Sequence, residues 1–325
     1  MYGKFEFMGK ESSEICGMRE LSTVSYKAFR TAVEIDITSL LDSYILSEHT
    51  SITNEPNTDE SNKYPQTLGS KLRVFEKLAS GASANVYVAK RITDGETVAI
   101  KVVDKTLNKY WKEEVQIMAK IKHPNIVRLL GLYETEKLAC LVMPYYSGGD
   151  LFARIMRNPN DFDEKKMMET GLELLNAISA LHAKNFAHLD IKPENFAYDA
   201  KDKLVVIDLG NATPLTQGTL NRLVGTPHYL APEVAFHRRF DAKTDLWGIG
   251  YCMFTMLEKT FPCGTVRSGD DECPAFGFIA KAVDAIVDLS TEGRCILHSM
   301  LDLVVARRST IEEAITRITK HLQYF

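Results

Sequence analysis

The sequence lacks any run of about 18 apolar residues, which argues against a membrane-spanning helix. Its start, Met1-Tyr2-Gly3-Lys4-Phe5-Glu6, lacks the charged-then-apolar build of a signal peptide and misses the myristoylation pattern. It also lacks a basic excess: 39 Lys and Arg against 43 Asp and Glu give a formal net charge of -4, which argues against a dedicated nucleic-acid binder. Cysteine is sparse. Cys16, Cys140, Cys252, Cys263, Cys273 and Cys295 are scattered with no C-x-x-C pair, the usage of reduced thiols in an intracellular protein. These absences predict a cytoplasmic protein, with the nucleus as the alternative. What is present is ordinary for a globular chain: 45% hydrophobic and 25% charged residues. A length of 325 residues suits about two domains or one large two-lobed one.

The chain changes texture twice. Residues 22–46 place Val24, Phe29, Val33, Leu40, Leu41 and Tyr44 at helix-like spacing, with Ser22 as a cap. The β-branched Thr31, Val33, Ile35, Ile37 and Thr38 weaken that helix. Residues 47–70 are polar and contain Pro56 and Pro65, the composition of a linker. Residues 1–70 thus read as an N-terminal extension that docks on the rest of the chain or binds a partner. From residue 72, short β-rich runs (72–79, 86–90, 97–103, 139–144) enclose one helical stretch near 107–121. After Asp150 the pattern is helical, over 150–156, 163–184, 243–257, 291–303 and 310–322. The expectation is an α+β fold with a β-rich lobe over 71–145 and a larger helical lobe over 146–325.

Several segments carry groups suited to handling phosphate. Val98-Ala99-Ile100-Lys101 reads as a strand that puts Ala99 and Lys101 on one face. Upstream, Leu78 to Val86 is a run of small residues between two strands, able to lie close over phosphates. Downstream, Glu114 shares a helix face with Met118 and, if buried, needs a cation such as Lys101. His188-Leu189-Asp190-Ile191-Lys192-Pro193-Glu194-Asn195 holds an acid able to accept a hydroxyl proton, a base able to neutralise charge, and an amide oxygen for a metal. The apolar run Val205-Val206-Ile207 then ends in Asp208-Leu209-Gly210, a natural position for a hard oxygen ligand of Mg²⁺.

Taken in order, these elements and Ala231-Pro232-Glu233 resemble the eukaryotic protein kinase family over residues 72–322. The resemblance implies a bilobal protein-kinase fold with ATP between the lobes and Mg²⁺ as cofactor. It implies that Lys101 holds phosphates and pairs with Glu114, that Asn195 and Asp208 bind metal, and that Asp190 is the catalytic base. Lys192 in the D-x-K form resembles serine/threonine rather than tyrosine kinases. Ala79, Gly81, Ala84, Val86, Ala99, Met143, Tyr145 and Asp150 fall at positions lining the nucleotide site, with Leu151 beside them. Gly225 to Glu233 resembles the loop receiving the substrate side chain, Glu233 would pair with Arg308, and Asp245 would brace the catalytic loop. The form of these motifs is similar to the calcium/calmodulin-dependent group, especially its myosin-light-chain-kinase-like branch. The partners implied are protein substrates with Ser or Thr sites. Asp150 and Glu194 match acidic positions that meet a basic residue upstream of the phosphosite.

Departures from the pattern shape the expectations. Ala79 and Ala84 stand where the family has glycine, so weaker ATP affinity is expected wherever φ is positive. Leu189 replaces the arginine that normally meets a phosphate on the activation loop. Activity independent of loop phosphorylation is therefore expected, with Thr213, Thr216 and Thr219 as solvated turn residues. Residues 258–278 fit no pattern. The competing readings are a nucleotide-binding pseudokinase scaffold and an adaptor whose function sits in residues 1–70.

Overall fold

The computed structural model describes residues 35–36, 72–81, 84–260, 265–268, 271–274 and 276–325. A six-stranded sheet holds β1 (Ile35–Asp36), β2 (Leu72–Ser80), β3 (Ala84–Arg91), β4 (Thr97–Asp104), β5 (Gly131–Glu134) and β6 (Leu138–Pro144) in the order β1-β2-β3-β4-β6-β5. Alternation along β4 and β6 divides its faces. Val98, Ile100, Cys140 and Val142 close a small core with Leu72, Val74 and Ala89. Ala99, Val103, Leu141 and Met143 join the main core on the other side. Helix α1 (Trp111–Lys120) turns Trp111, Glu114, Val115, Ile117 and Met118 inward.

The second lobe is helical: α2 (Leu151–Arg157), α3 (Glu164–His182), α4 (Pro232–His237), α5 (Ala242–Glu258), α6 (Ile279–Ala285), α7 (Thr291–Met300) and α8 (Ile311–His321). Sequence chemistry fixes the starts. Asp163 accepts from the Lys166 amide at the head of α3. Asp241 with Thr244, and Thr310 with Glu313, form capping boxes on α5 and α8. Helix α5 is buried from Thr244 through Met256, as befits a central helix apolar on nearly every side. It packs on α3, where a Cβ on Gly171 would lie 2.7 Å from the Met253 sulfur.

Two short ladders present the loops between the lobes. Strand β7 (Phe186–Ala187) pairs with β10 (Thr213–Pro214), and β8 (Phe196–Tyr198) pairs with β9 (Leu204–Val206). Residues 188–195 and 207–212 are thereby suspended between fixed strands. Segment 258–278 contains a hairpin, β11 (Thr265–Ser268) with β12 (Asp271–Pro274), which the sequence did not announce.

The β-rich and helical lobes match the expected fold class, with element ends shifted by a few residues. Strand β5 and helices α4 and α6 are additions. The helix expected over 22–46 and the linker over 47–70 lie outside the described residues, apart from Ile35 and Asp36. Those two are strand rather than helix, pairing antiparallel with Val74 and Arg73. Ile35 sits in the β-branched run that weakened the helix from the start.

Candidate active site

Lys101 stands at the centre of the cleft. Strand β4 delivers its ammonium to two carboxylates: Nζ donates to Glu114 Oε1 at 2.6 Å and to Asp208 Oδ1 at 2.9 Å. Burial opposes the charge on Lys101, but the two carboxylates outweigh it and keep the side chain firmly cationic. Burial pushes the Glu114 carboxyl above its usual range, while Lys101 pulls against that shift. Burial also opposes ionisation of Asp208, yet Lys101 and the Gly210 N–H prevail and hold it at about 2.

Space is tight at Gly210. A Cβ on it would lie 3.1 Å from Asp208 Oδ1 and 3.4 Å from Lys101 Nζ. Its N–H donates to the same Asp208 oxygen at 2.8 Å. The Asp208 side chain remains 40% exposed, so it faces the cleft as well as Lys101.

The loop after β7 is clamped from below. Asp245 of α5 accepts from the N–H groups of His188 and Leu189 at 2.7 and 2.8 Å, and contacts His182 Nε2 at 2.7 Å. Burial would raise its carboxyl pKa, but the two histidines hold it below the usual value. Leu189 is itself buried and left-handed, at φ 63°. A leucine resists that conformation by about 1–2 kcal/mol, which the Asp245 clamp must overcome. Gly225, at φ 98°, comes so close that a Cβ on it would sit 2.7 Å from the Leu189 carbonyl oxygen.

Asp190 gathers the remaining groups. Thr226 Oγ1 donates to Asp190 Oδ1 at 2.7 Å, and Lys192 Nζ donates to the same hydroxyl at 2.7 Å. Asn195 Nδ2 donates to the Asp190 carbonyl at 2.7 Å, which turns its amide oxygen to the other side. The hard oxygens of Asn195 and Asp208 suit a Mg²⁺ that keeps water and phosphate as its other ligands. Sequence reasoning placed Thr226 in a substrate loop but missed its bridging role. It also missed Asn211, whose Nδ2 lies 3.4 Å from Asp190 Oδ2.

Several of the residues expected to line the nucleotide lie opposite one another on paired strands. Ala79 pairs with Val86, Val86 with Lys101, and Ala99 with Met143. Ala99, Met143 and Leu151 are buried, and Tyr145 is half-buried. Gly81 donates its N–H to the Ala84 carbonyl at 2.8 Å. Neither Ala79 nor Ala84 has positive φ, so the strain expected of an alanine there is absent. Asp150 is engaged as the cap of α2, accepting from the Ala153 N–H at 2.6 Å. Glu194 is exposed beside it.

Backbone pairing holds residues 213–220 of the segment from Asp208 to Glu233. Beyond the β7–β10 ladder, Thr219 bridges to Arg239, Leu220 donates to the Arg238 carbonyl, and Phe240 donates to the Gly218 carbonyl. Thr213 donates its hydroxyl to the Asn211 carbonyl at 3.0 Å. Glu233 and Arg308 form the expected pair, at 2.8 and 3.0 Å through both guanidinium ends.

A β-rich lobe and a helical lobe thus enclose a cleft in which one lysine is shared by two carboxylates. Residues 72–318 match the protein kinase domain, and the chain belongs to that family. It is 34% identical over 236 residues to CBL-interacting serine/threonine-protein kinase 19 of Arabidopsis thaliana, covering 66% of this chain and 48% of that one. It is 31% identical over 273 residues to CBL-interacting protein kinase 30 of Oryza sativa subsp. japonica, covering 78% and 54%. The chain thus spans about half the length of the curated relatives it matches. The broad resemblance stands. Its finer part, to the myosin-light-chain-kinase-like branch, is not the affinity these relatives carry. Among the described residues no helix is long and apolar enough to cross a membrane.

Proposed function

We propose that this chain is a protein serine/threonine kinase, transferring the γ-phosphoryl group of ATP to Ser or Thr hydroxyls of protein substrates. The observation that carries this reading is Lys101, bonded to Glu114 and Asp208 at once at 2.6 and 2.9 Å. In this arrangement the phosphate-binding cation, its helix partner and the metal-binding carboxylate are engaged together. Asp208 and Asn195 would hold Mg²⁺, which when bound neutralises charge on the phosphates. Asp190 would orient the incoming hydroxyl and accept its proton. Thr226 and Lys192 fix that carboxylate, and Lys192 stands ready to offset charge on the moving phosphoryl group.

Independence from loop phosphorylation belongs to the same reading. It is supported by the backbone pairings that hold 213–220 and by Leu189, which offers no cation to a phosphate. Asp150 and Glu194 favour substrates with basic residues upstream of the target, which a peptide array enriched in Arg or Lys would register. The pairing of β1 with β2 supports docking of the N-terminal extension on the sheet. A cytoplasmic or nuclear site agrees with Cys140, Cys252 and Cys295 being unpaired thiols.

The test is phosphorylation of a generic protein substrate with Mg-ATP by phosphatase-treated protein, wild type against Asp190→Asn. Loss of the base lowers the rate by roughly 10²–10⁴. Equal signals would favour the pseudokinase reading.

A further inference from the structure

Arg222 lies on the segment between Asp208 and Glu233, and its guanidinium carbon sits 4.9 Å from the centroid of the Tyr110 ring. Both residues are exposed. Among the described residues, the Tyr110 ring is the one charged or aromatic partner Arg222 has. Tyr110 is the N-cap residue of α1, and no side chain caps that end. Instead the Glu113 and Glu114 N–H groups donate to the Tyr110 carbonyl at 3.2 and 3.4 Å. The residue touched by Arg222 is thus bonded directly to the residue that holds Lys101.

Helix α1 and the segment do not pack flush. A cavity of about 330 Å³ lies between them, lined by Tyr110, Gln116 and Ile117 on one side and Asn211, Leu220 and Arg222 on the other. Around this cavity the helix and the segment are joined at one end by the Glu114–Lys101–Asp208 bonds and at the other by the side chains of Tyr110 and Arg222. Position 189 supplies no cation to organise the segment, because it is a buried leucine. The cation comes from the segment itself and meets an aromatic face on the helix.

We propose that Arg222 and Tyr110 are positioning residues. Their cation–π contact holds the first turn of α1, and with it Glu114, against Lys101 without a phosphate on the segment. This inference rests on the kinase reading for its consequence, but the contact is measurable without activity.

The experiment compares phosphatase-treated wild type, Arg222→Ala, Tyr110→Leu, the double variant and Tyr110→Phe. Hydrogen exchange is followed at the Glu113 and Glu114 amides, and kcat in parallel. An exposed cation–π contact predicts about two- to fivefold faster exchange and a similar fall in kcat for either single variant. The double variant is no worse than the singles, and Tyr110→Phe, which keeps the ring face, behaves as wild type. Unchanged exchange in Arg222→Ala, single effects that multiply in the double variant, or faster exchange with unchanged kcat would each overturn the proposal. If wild type and Asp190→Asn are equally inactive, the kinase reading fails, while the exchange data still decide whether the contact holds the helix.

Discussion

The Thr226 hydroxyl stands between Lys192 and Asp190, 2.7 Å from the ammonium it accepts from and 2.7 Å from the carboxylate it donates to. It is the only one of the three that carries no charge, and it bridges two groups that also meet directly, Lys192 Nζ lying 3.5 Å from Asp190 Oδ2. Thr226→Val removes both bonds with little change of volume. The expected result is a fall in kcat of about tenfold to a hundredfold, because the base loses its aim. Thr226→Ser restores most of it, as steady-state peptide phosphorylation would record.

Gly210→Ala tests the crowding around Lys101. The added methyl must displace Asp208, Lys101 or both, since its nearest neighbours would be at 3.1 and 3.4 Å. Activity is expected to fall about tenfold or more. The Mg²⁺ concentration needed for half-maximal rate should rise, and thermal unfolding should change little because the glycine is not in the main core.

Asp208 makes a prediction about acid stability. Its carboxyl is held at about 2, below the ordinary 3.8, so the folded state binds its proton more weakly than the unfolded chain does. The stabilisation is fully present above the ordinary value and is lost as pH falls towards 2. Urea titrations at pH 5 and pH 3 should show wild type losing more stability over that interval than Asp208→Asn. Equal losses would contradict the assigned charge state.

Arg308→Met should destabilise the helical lobe by about 3–5 kcal/mol, the scale for stranding one member of a buried ion pair. Arg308 is almost wholly buried and also donates to the Asp302 and Lys243 carbonyls. Glu233→Gln should act in the same direction by a smaller amount. Pairing the two changes should cost less than their sum, measured by denaturant unfolding.

The groups legible in the sequence were those whose chemistry is local. Asp190, Lys192 and Asn195 stand within six residues of one another, and Asp208 ends a strand, so type and spacing together exposed them. Lys101 and Glu114 were legible because a buried carboxylate needs a cation. Thr226, Asn211 and the Arg222–Tyr110 contact were not, because each meets its partner across tens of residues through loops with no periodicity. Asp150 was read for its charge, while the structure uses it first to cap a helix. Ala79 and Ala84 were read by analogy with glycine, and the backbone needs positive φ at neither. Ile35 and Asp36 show the remaining weakness: a helix period drawn through β-branched residues gave way to a sheet edge offering backbone partners.

Arg308 joins Glu233 across 75 residues of chain. A ribosome that has just added Glu233 has therefore produced a carboxylate whose guanidinium partner does not yet exist. Thr244 at the head of α5 supplies a first hydrogen bond, but the charge is matched only once α5, α6, α7 and Arg308 have all been made. Truncation anywhere before Arg308 would leave the Glu233 carboxylate without its buried cationic partner.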